Sequence, residues 1–386
     1  MKVLITCETL SARGGTELYV RDVAGALLRL GHTPLVYAGT LGEVANEIRN
    51  LTVPVVARLD ALSAAPDLVF GQHHLPTLAA LLRFPDAPAV YVCHDWYGLN
   101  AFAPRLPRIL RFVAVDETCR DRLVYEDGVE ESRVVVLPHS VNLRRFAPRG
   151  PLPPRPRRAL VFGNYTQESP HLEALRAACS ERGVQLDAVG GLMRNAVAAP
   201  EELLRDYDLV FAKGRAALEA VAVGAAVVIY SGVRYLGPMV RAEEVERLLP
   251  LNFGVRAMGR ALTPEELRQK AGAEIDRYDA EDAARASAVA RERAGQDAAM
   301  HAVAELCEEV VEEYGRIKSG LDPRDEGPAV AAYLERLLAQ QEQVQAHFRA
   351  QQQGLQNSFA GRLSARLQRY PRLAGMLRPL ARALAR

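Results

Sequence analysis

The segment from residue 208 to residue 232, DLVFAKGRAALEAVAVGAAVVIYSG, carries the residues with the clearest chemical potential. It predicts a buried strand, a helix that begins near Gly214, and a second buried strand. Lys213 and Arg215 would then lie at the amino end of the helix, where the helix dipole disfavours cations unless an anion lies between them. Glu219 follows one turn later and could accept hydrogen bonds from two adjacent hydroxyls. The pattern predicts a site for a phosphate group and a ribose.

A simpler interpretation of the same residues stays open. Arg215 and Glu219 are spaced i,i+4, so they could form a salt bridge on one helix face without any ligand. The two interpretations differ in where the neutralising charge comes from, a bound anion or a carboxylate of the chain itself.

A second candidate for anion binding lies near the N-terminus. The loop ETLSARGGTE joins the β-rich run VLITC to an amphipathic helical segment, and Gly14 and Gly15 leave the backbone open at the start of that helix. A glycine pair before a helix is equally a simple tight turn. The loop lacks the G-x-G-x-x-G spacing, which disfavours a nicotinamide enzyme.

The surrounding pattern predicts two α/β domains. Short β-rich runs alternate with helical segments over residues 1–150 and again over residues 151–319, which is typical of parallel sheets covered by helices. The segment PRGPLPPRPRR contains five prolines between the two series and predicts a stiff connector. Ligands bind at the carboxyl ends of strands in such sheets, so the cleft between the domains is the expected site. Helices over residues 264–318 would complete the second domain, with the option of folding back on the first.

Residues 320–386 predict a helical, arginine-rich tail. A near-heptad apolar stripe gives a weak coiled-coil signal and with it an option for a homo-oligomer; its members are Val330, Leu334, Leu337, Val344, Phe348 and Leu355. Residues 1–342 carry a net charge of −7, whereas the remainder carries +8. Residues 360–386 place leucines between arginines, which favours contact with an anionic membrane surface. Packing on the acidic body or on a partner subunit stays open, and scarce aromatic residues disfavour nucleic acid.

Several ordered motifs resemble the retaining family 4 glycosyltransferases of the GT-B fold. The matching segments are GGTELYVRDVAGALLRLGHTPLVYAG, VCHDWYG, FVAVDETCRDRLVYEDGVEESRVVVLPHSVNLRRFAP and ALEAVAVGAAVV, in the family's order. The resemblance covers residues 1 to about 315. It implies two Rossmann-like doubly wound domains that face a central cleft, followed here by the helical extension.

The resemblance also implies roles for individual residues. Gly14 and Gly15 would lie against the donor diphosphate or the acceptor, His94 would contact the donor sugar near its anomeric centre, and Glu219 would hold the ribose. The helix start at Gly214 belongs to the same donor site. His73 and His74 compete for a role in the cleft, and Asp95 could line the acceptor side; those three assignments rest on their positions at strand ends.

The chain departs from the family pattern at several donor contacts. Asn164 and Ser169 stand where the family has Arg and Lys, Phe211 stands at the first glutamate of the family's pair, and His139-Ser140 replaces Asn-Gly. We expect Lys213 and Arg215 to replace the missing positive charge, because cations at a helix start need an anion.

The expected function is transfer of a hexose, with retention of configuration, from a nucleotide-diphosphate sugar such as a UDP- or GDP-hexose. The acceptor would be a cell-surface glycan or a glycolipid. Lys213, Arg215 and His94 would be the catalytic residues, without a metal or other cofactor, because no plausible Asp-x-Asp loop occurs. Two alternatives stay open: a non-catalytic glycosyltransferase-like binding scaffold, and a nucleotide-sugar epimerase, for which no carboxylate pair is evident.

The composition and the cysteine spacing indicate in which part of the cell the chain is found. No stretch approaches 18 consecutive apolar residues, and the five cysteines are scattered without C-x-x-C spacing. We therefore expect a cytoplasmic chain that can attach peripherally to the inner face of the cell membrane.

Overall fold

The first sheet has seven parallel strands in the order β3-β2-β1-β4-β5-β6-β7. The computed structural model of the chain describes residues 1–98, 101–320 and 326–357. The strands of this sheet are β1 Lys2–Leu10, β2 Thr33–Leu41, β3 Val55–Val56, β4 Leu68–Gly71, β5 Ala89–Cys93, β6 Ile109–Ala114 and β7 Val134–Val136. The apolar run Val3, Leu4 and Ile5 is fully buried, as expected of a parallel strand covered on both faces.

Helices cover both faces of this sheet and form with it the first lobe. They are α1 Gly15–Arg29, α2 Glu43–Asn50, α3 His74–Arg83 and the short α4 Glu117–Asp121. Helix α1 buries its apolar side through Val20, Val23 and Leu27, and it is followed by Gly31 at φ +85°, a conformation that favours glycine. Strand β1 ends at Leu10 and α1 begins at Gly15, so the amino end of α1 lies just after the carboxyl end of β1 in the chain.

The second lobe is built on a five-stranded sheet in the order β12-β11-β10-β8-β9. Its strands are β8 Arg158–Phe162, β9 Gln185–Val189, β10 Leu209–Ala212, β11 Ala226–Tyr230 and β12 Leu236–Met239, and β12 alone is antiparallel to its neighbour. Its helices are α5 Pro170–Ser180, α6 Pro200–Leu204, α7 Gly214–Val223, α8 Val245–Leu248, α9 Pro264–Asp276 and α10 Ala280–Arg293. The α/β class and the two sheets predicted from the sequence are confirmed.

The chain returns to the first lobe after α10. Val141 donates its N–H to Ala294 O at 2.9 Å and accepts from Gln296 N at 2.9 Å, which joins the outgoing and returning segments. Helix α11, Gln296–Ile317, then packs against α1 and strands β4, β5 and β6. The sequence left open whether the helices over residues 264–318 fold back on the first domain, and α11 does so.

The chain divides into two units, residues 1–321 and 322–386, and the first unit contains both lobes. In the second unit, α12 spans Glu326–Asn357 and its side chains Leu334 and Phe348 are exposed. The arginine-rich segment 360–386, predicted to contact a membrane, lies outside the described residues. Among the helices that are described, none combines the length and the apolar character needed to span a bilayer.

Gly224 ends α7 in a conformation that favours glycine. Its φ is +97°, and the bonds Gly224 N to Val221 O at 2.9 Å and Ala225 N to Ala220 O at 3.1 Å close the helix end. An added Cβ would meet nothing closer than Arg149 Cγ at 3.6 Å, so the cost of a side chain comes from the backbone.

We expect Gly224→Ala to lower the free energy of unfolding by about 1–2 kcal/mol, because an L-residue is strained in the left-handed region. Urea denaturation measures this loss. Gly150→Ala is the matched control, since Gly150 has open space around it and no positive φ. Equal stability of the two variants would contradict the prediction.

Candidate active site

A cavity of about 140 Å³ lies between the two lobes, at the carboxyl ends of the strands. Gly15 and Arg13 line it from the first lobe, and Arg215 and Glu219 line it from the second. The second lobe adds a largely apolar wall that includes Phe162, Val189, Gly190, Ala196, Val197 and Pro200. The cavity thus joins charged groups at one side to a surface on which a flat ring can pack.

The Gly14-Gly15 loop forms the first-lobe edge of this cavity. Gly14 is the N-cap of α1, and a Cβ at Gly15 would meet no atom within 4 Å. Gly15 therefore leaves room for a ligand at the amino end of α1, whereas the Glu17 carboxylate occupies the space beside Gly14.

Helix α7 begins at Gly214, as the sequence predicted, with Lys213 as its N-cap. Arg215 donates from Nε to Glu219 Oε1 at 2.8 Å and from Nη2 to Asp22 Oδ2 at 2.7 Å. The three side chains are only 9–13% exposed. The expectation that Arg215 lacks a neutralising anion until a ligand binds is therefore wrong, because the chain itself supplies two carboxylates. The i,i+4 salt bridge that the sequence left open is present.

Lys213 is in a different situation. Its Nζ lies 5.3 Å from the centre of the Tyr165 ring, and it forms no ion pair with any residue in the described part of the chain. Burial lowers the pKa of Lys213, and the charge of Asp95 opposes that shift. Of the two predicted cations, Lys213 is the one whose charge is left for a ligand.

Glu219 keeps one carboxylate oxygen open. Oε1 accepts from Arg215, whereas no described residue donates to Oε2, and the residue lines the cavity. Burial raises the pKa of the Glu219 carboxyl, and the adjacent Arg215 charge opposes that shift. Burial alone would also raise the pKa of the Asp22 carboxyl, but the charges of Arg215 and Arg21 outweigh the effect of burial and lower that pKa.

A series of ion-paired side chains with alternating charge crosses the boundary between the two lobes. Arg21 donates from Nη2 to Asp22 Oδ1 at 2.7 Å and from Nη1 to Glu47 Oε2 at 2.8 Å. Glu47 also pairs with Arg13, beside the glycine loop. Glu47 and Asp22 therefore each lie between two guanidinium groups, and Glu219 ends the series beside Arg215. The full order is Arg13, Glu47, Arg21, Asp22, Arg215 and Glu219.

His94 lies beside the cavity rather than in its lining. It follows β5, and its Nε2 lies 2.6 Å from Gln72 Oε1. Its ring stacks at 6.0 Å on His139 and meets the edge of Tyr19 at 4.9 Å. Burial, with smaller effects of His139 and His73, lowers the pKa of His94 well below its usual value, so the ring is neutral at neutral pH.

The competing histidines have local structural contacts. His73 Nδ1 accepts the Glu8 N–H at 3.1 Å, and His74 packs on Phe102 with ring centres 4.1 Å apart. Asp95 accepts the Tyr97 N–H at 2.9 Å within the loop that follows β5. Of the predicted site residues, Gly15, Arg215 and Glu219 line the cavity. Gly14 and Gly214 are their neighbours in the chain. Lys213 and His94 lie outside the lining of the cavity.

The departures from the family pattern have local explanations. Asn164 Nδ2 donates across the lobe boundary to Arg13 O at 3.3 Å. Ser169 caps α5 by accepting from Leu172 N at 3.2 Å. Phe211 is fully buried in β10, where a carboxylate would be desolvated.

Sequence reasoning missed three charged residues of the site. Arg13 immediately precedes the glycine pair, and this position could have identified it as a residue of the site. Arg145 lines the cavity and pairs through Nε with Glu201 at 2.8 Å. Asp22 lies on an ordinary amphipathic helix, and nothing local marks it as the partner of a residue 193 positions away.

Comparisons with known proteins agree with this architecture. Residues 13–145 match the model of the family described as Glycosyltransferase Family 4. A glycosyltransferase from Rickettsia africae is 15% identical, with a TM-score of 0.59 over 80% of this chain and 98% of its own. Anabaena HepE, solved with UDP and glucose, is 18% identical, with a TM-score of 0.56 over 80% of this chain and 100% of its own.

A third structure, WaaG, a glycosyltransferase involved in lipopolysaccharide biosynthesis, is 14% identical, with a TM-score of 0.52 over 79% of this chain and 99% of its own. A search of curated proteins finds no significant match. The resemblance stated from the sequence is confirmed for the fold: the chain has the GT-B fold of these glycosyltransferases.

His139 gives the site a measurable pH dependence. Burial, helped by the Arg215 charge and opposed by Asp22, lowers the pKa of His139 to about 4. An unfolded histidine takes up a proton near pH 6.5, so stability is lost as the pH falls below that value. From pH 8 to pH 5 this single group accounts for a loss of about 2 kcal/mol.

We therefore expect His139→Asn to show a smaller loss of unfolding free energy between pH 8 and pH 5 than the unmodified chain, by about 2 kcal/mol. Urea denaturation at the two pH values measures the difference. The measurement at pH 8 is the internal control, because the imidazole is then neutral in both states. An identical pH dependence in the two proteins would contradict the assignment.

Proposed function

We propose that this chain is a retaining glycosyltransferase that moves a hexose from a nucleotide-diphosphate sugar to a cell-surface glycan or a glycolipid. The observation that carries the proposal is Glu219, which lines a cavity between two Rossmann-like lobes and whose Oε2 accepts from no described residue. A carboxylate with a free oxygen, held by a neighbouring guanidinium, is suited to accept from ribose hydroxyls. HepE, which has the same fold, was solved with UDP and glucose, and this supports a nucleotide donor.

The diphosphate would lie between the glycine loop and the start of α7. Lys213 would supply an unpaired positive charge there, and the amino ends of α1 and α7 would supply N–H groups. Arg215 forms no bond from Nη1 to a described residue, so one side of its guanidinium can also reach a diphosphate oxygen. These groups would stabilise the negative charge that develops on the leaving diphosphate.

The donor sugar would extend from the diphosphate toward His94. This imidazole is neutral, and the contact with Gln72 leaves its Nδ1 without a partner among the described residues. Because Gln72 Oε1 accepts from Nε2, the neutral ring has its proton on Nε2, and Nδ1 can accept a hydrogen bond from a sugar hydroxyl. This contact would orient the sugar without acting as a general base. Retention of configuration follows if the acceptor hydroxyl approaches the face from which the diphosphate leaves. Retention and metal independence are parts of the proposal.

A second candidate is a non-catalytic binding scaffold. The observation in its favour is that all three arginines lining the cavity already pair with carboxylates: Arg13 with Glu47, Arg145 with Glu201, and Arg215 with Asp22 and Glu219. Such neutralised cations attract an anionic donor less strongly than free ones. Binding of a nucleotide diphosphate separates the two candidates.

We expect calorimetry to detect binding of UDP or GDP, and Glu219→Ala to weaken it by about 10- to 100-fold, because hydrogen bonds to a charged group are lost. Asp276→Ala is the matched control: it removes a surface carboxylate of the same lobe that pairs with Arg182 at 2.7 Å. Absence of binding to the unmodified chain would favour the scaffold. Binding that survives Glu219→Ala would contradict the assigned ribose contact.

The acceptor and the location are proposed together. WaaG acts in lipopolysaccharide biosynthesis, and the arginine-rich residues 360–386 would hold this chain at an anionic membrane surface near a lipid-linked acceptor. This would make the protein a peripheral enzyme at the cytoplasmic face of the membrane. The exposed apolar side of α12 offers a contact for a second copy.

The membrane proposal is tested by neutralising Arg366, Arg369 and Arg372 together with glutamine. Each arginine near the surface contributes about 1 kcal/mol, so association with phosphatidylserine vesicles should fall by about 100-fold. Vesicle sedimentation measures this change, and vesicles of phosphatidylcholine alone are the control. If the unmodified chain does not prefer the anionic vesicles, the membrane role is wrong.

A further inference from the structure

One ion pair connects the proposed nucleotide site to the opposite lobe. Asp22 belongs to α1 of the first lobe, whereas Arg215 and Glu219 belong to α7 of the second. Arg215 uses two donors of its planar guanidinium on two carboxylates, Nε on Glu219 at 2.8 Å and Nη2 on Asp22 at 2.7 Å. A planar group held at two points has a fixed orientation, and it fixes both acceptors in turn.

Asp22 is itself held in place. Both Nε and Nη2 of Arg21 donate to Asp22 Oδ1, at 3.1 Å and 2.7 Å, which leaves Oδ2 for Arg215. The two oxygens thus have separate partners, one in each lobe. Asp22 is not among the residues that line the cavity, so it would not touch a ligand bound there.

We propose that Asp22 is a positioning residue for nucleotide binding: it fixes Arg215, and Arg215 holds Glu219 with Oε2 turned to the cavity. This inference rests on the proposed function. Without Asp22, an i,i+4 pair of Arg215 and Glu219 would contribute only a few tenths of a kcal/mol, and the long arginine side chain could adopt other rotamers. Because Asp22 comes from the first lobe, the ribose site is complete only when the two lobes are in contact.

A purely structural role for Asp22 predicts something different. If the pair only held the lobes together, any other ion pair across the boundary would matter equally for binding. The structure offers such a pair, Arg256 with Asp121, which joins the lobes and has no hydrogen bond or ion pair to α7 among the described residues. Nearby, Glu117 N donates to Pro250 O at 2.9 Å, so this second contact is also a built part of the boundary.

The experiment is a double-mutant cycle on nucleotide binding, with UDP and GDP as probes in calorimetry. Asp22→Asn keeps the shape of the side chain and removes its charge, and it should weaken binding by about tenfold. In a Glu219→Gln background the same change should weaken binding by less than about twofold, because the two residues act through one path. Asp121→Asn is the matched control and should leave the affinity unchanged.

The pH dependence of nucleotide affinity provides a second readout, which loosened packing alone would not change. Arg215 on the same helix, Asp22 on α1 and Arg145 near the lobe connection all act on the Glu219 carboxyl, and Asp22 raises its pKa. Affinity for the nucleotide should fall as the pH drops through the pKa of Glu219, because the protonated acid accepts hydrogen bonds less well. Asp22→Asn should shift this acid limb to higher pH, because an Arg215 released from Glu219 no longer lowers the pKa of that carboxyl, and this loss outweighs the loss of the Asp22 charge.

Arg215→Lys provides a second variant if Asp22→Asn does not fold. Lysine keeps the positive charge but lacks the planar fork, so it should lose about as much affinity as Asp22→Asn. Unchanged affinity in either folded variant, or equal losses in Asp22→Asn and Asp121→Asn, would overturn the role of Asp22. Absence of nucleotide binding in the unmodified chain would instead overturn the proposed function.

Discussion

The arrangement of the cleft depends on the pairing of Arg215 with Asp22 and Glu219. A guanidinium that is only 13% exposed requires neutralisation, and two carboxylates from opposite lobes provide it. Removing either partner would leave a buried charge with incomplete compensation. The contact therefore keeps the first turn of α7 close to α1 and holds Glu219, whose Oε2 accepts from no described residue, in the lining of the cavity.

The rest of the fold brings these side chains to one place. Parallel strands end at the same edge of each sheet, so the turn after β1 and the turn after β10 both open toward the gap between the lobes. Glycines at the starts of α1 and α7 keep that gap accessible to a ligand. The connection through Val141 and the return of α11 to the first sheet join the lobes twice, which limits how they can move against one another.

Local patterns were enough to predict the two sheets, the start of α7 at Gly214 and the closeness of the glycine loop to the cleft. They could not reveal Asp22 or Arg145, because pairs of residues far apart in the chain, such as Asp22 with Arg215 at a separation of 193 residues and Arg145 with Glu201, leave no mark in local periodicity. The same limit explains the error about Arg215: the helix dipole correctly indicated a need for negative charge, but the sequence could not show that the chain itself supplies it. Phe211 and Ser169 differ from the family because one lies in the core and the other caps a helix.

The most direct test is a crystal structure of the chain with a nucleotide diphosphate. We expect the ribose hydroxyls within hydrogen-bonding distance of Glu219 Oε2, the diphosphate near Lys213 and the glycine loop, and Arg215 still paired with Asp22. A nucleotide bound elsewhere, or a ribose that does not contact Glu219 while Arg215 has left Asp22, would contradict this expectation.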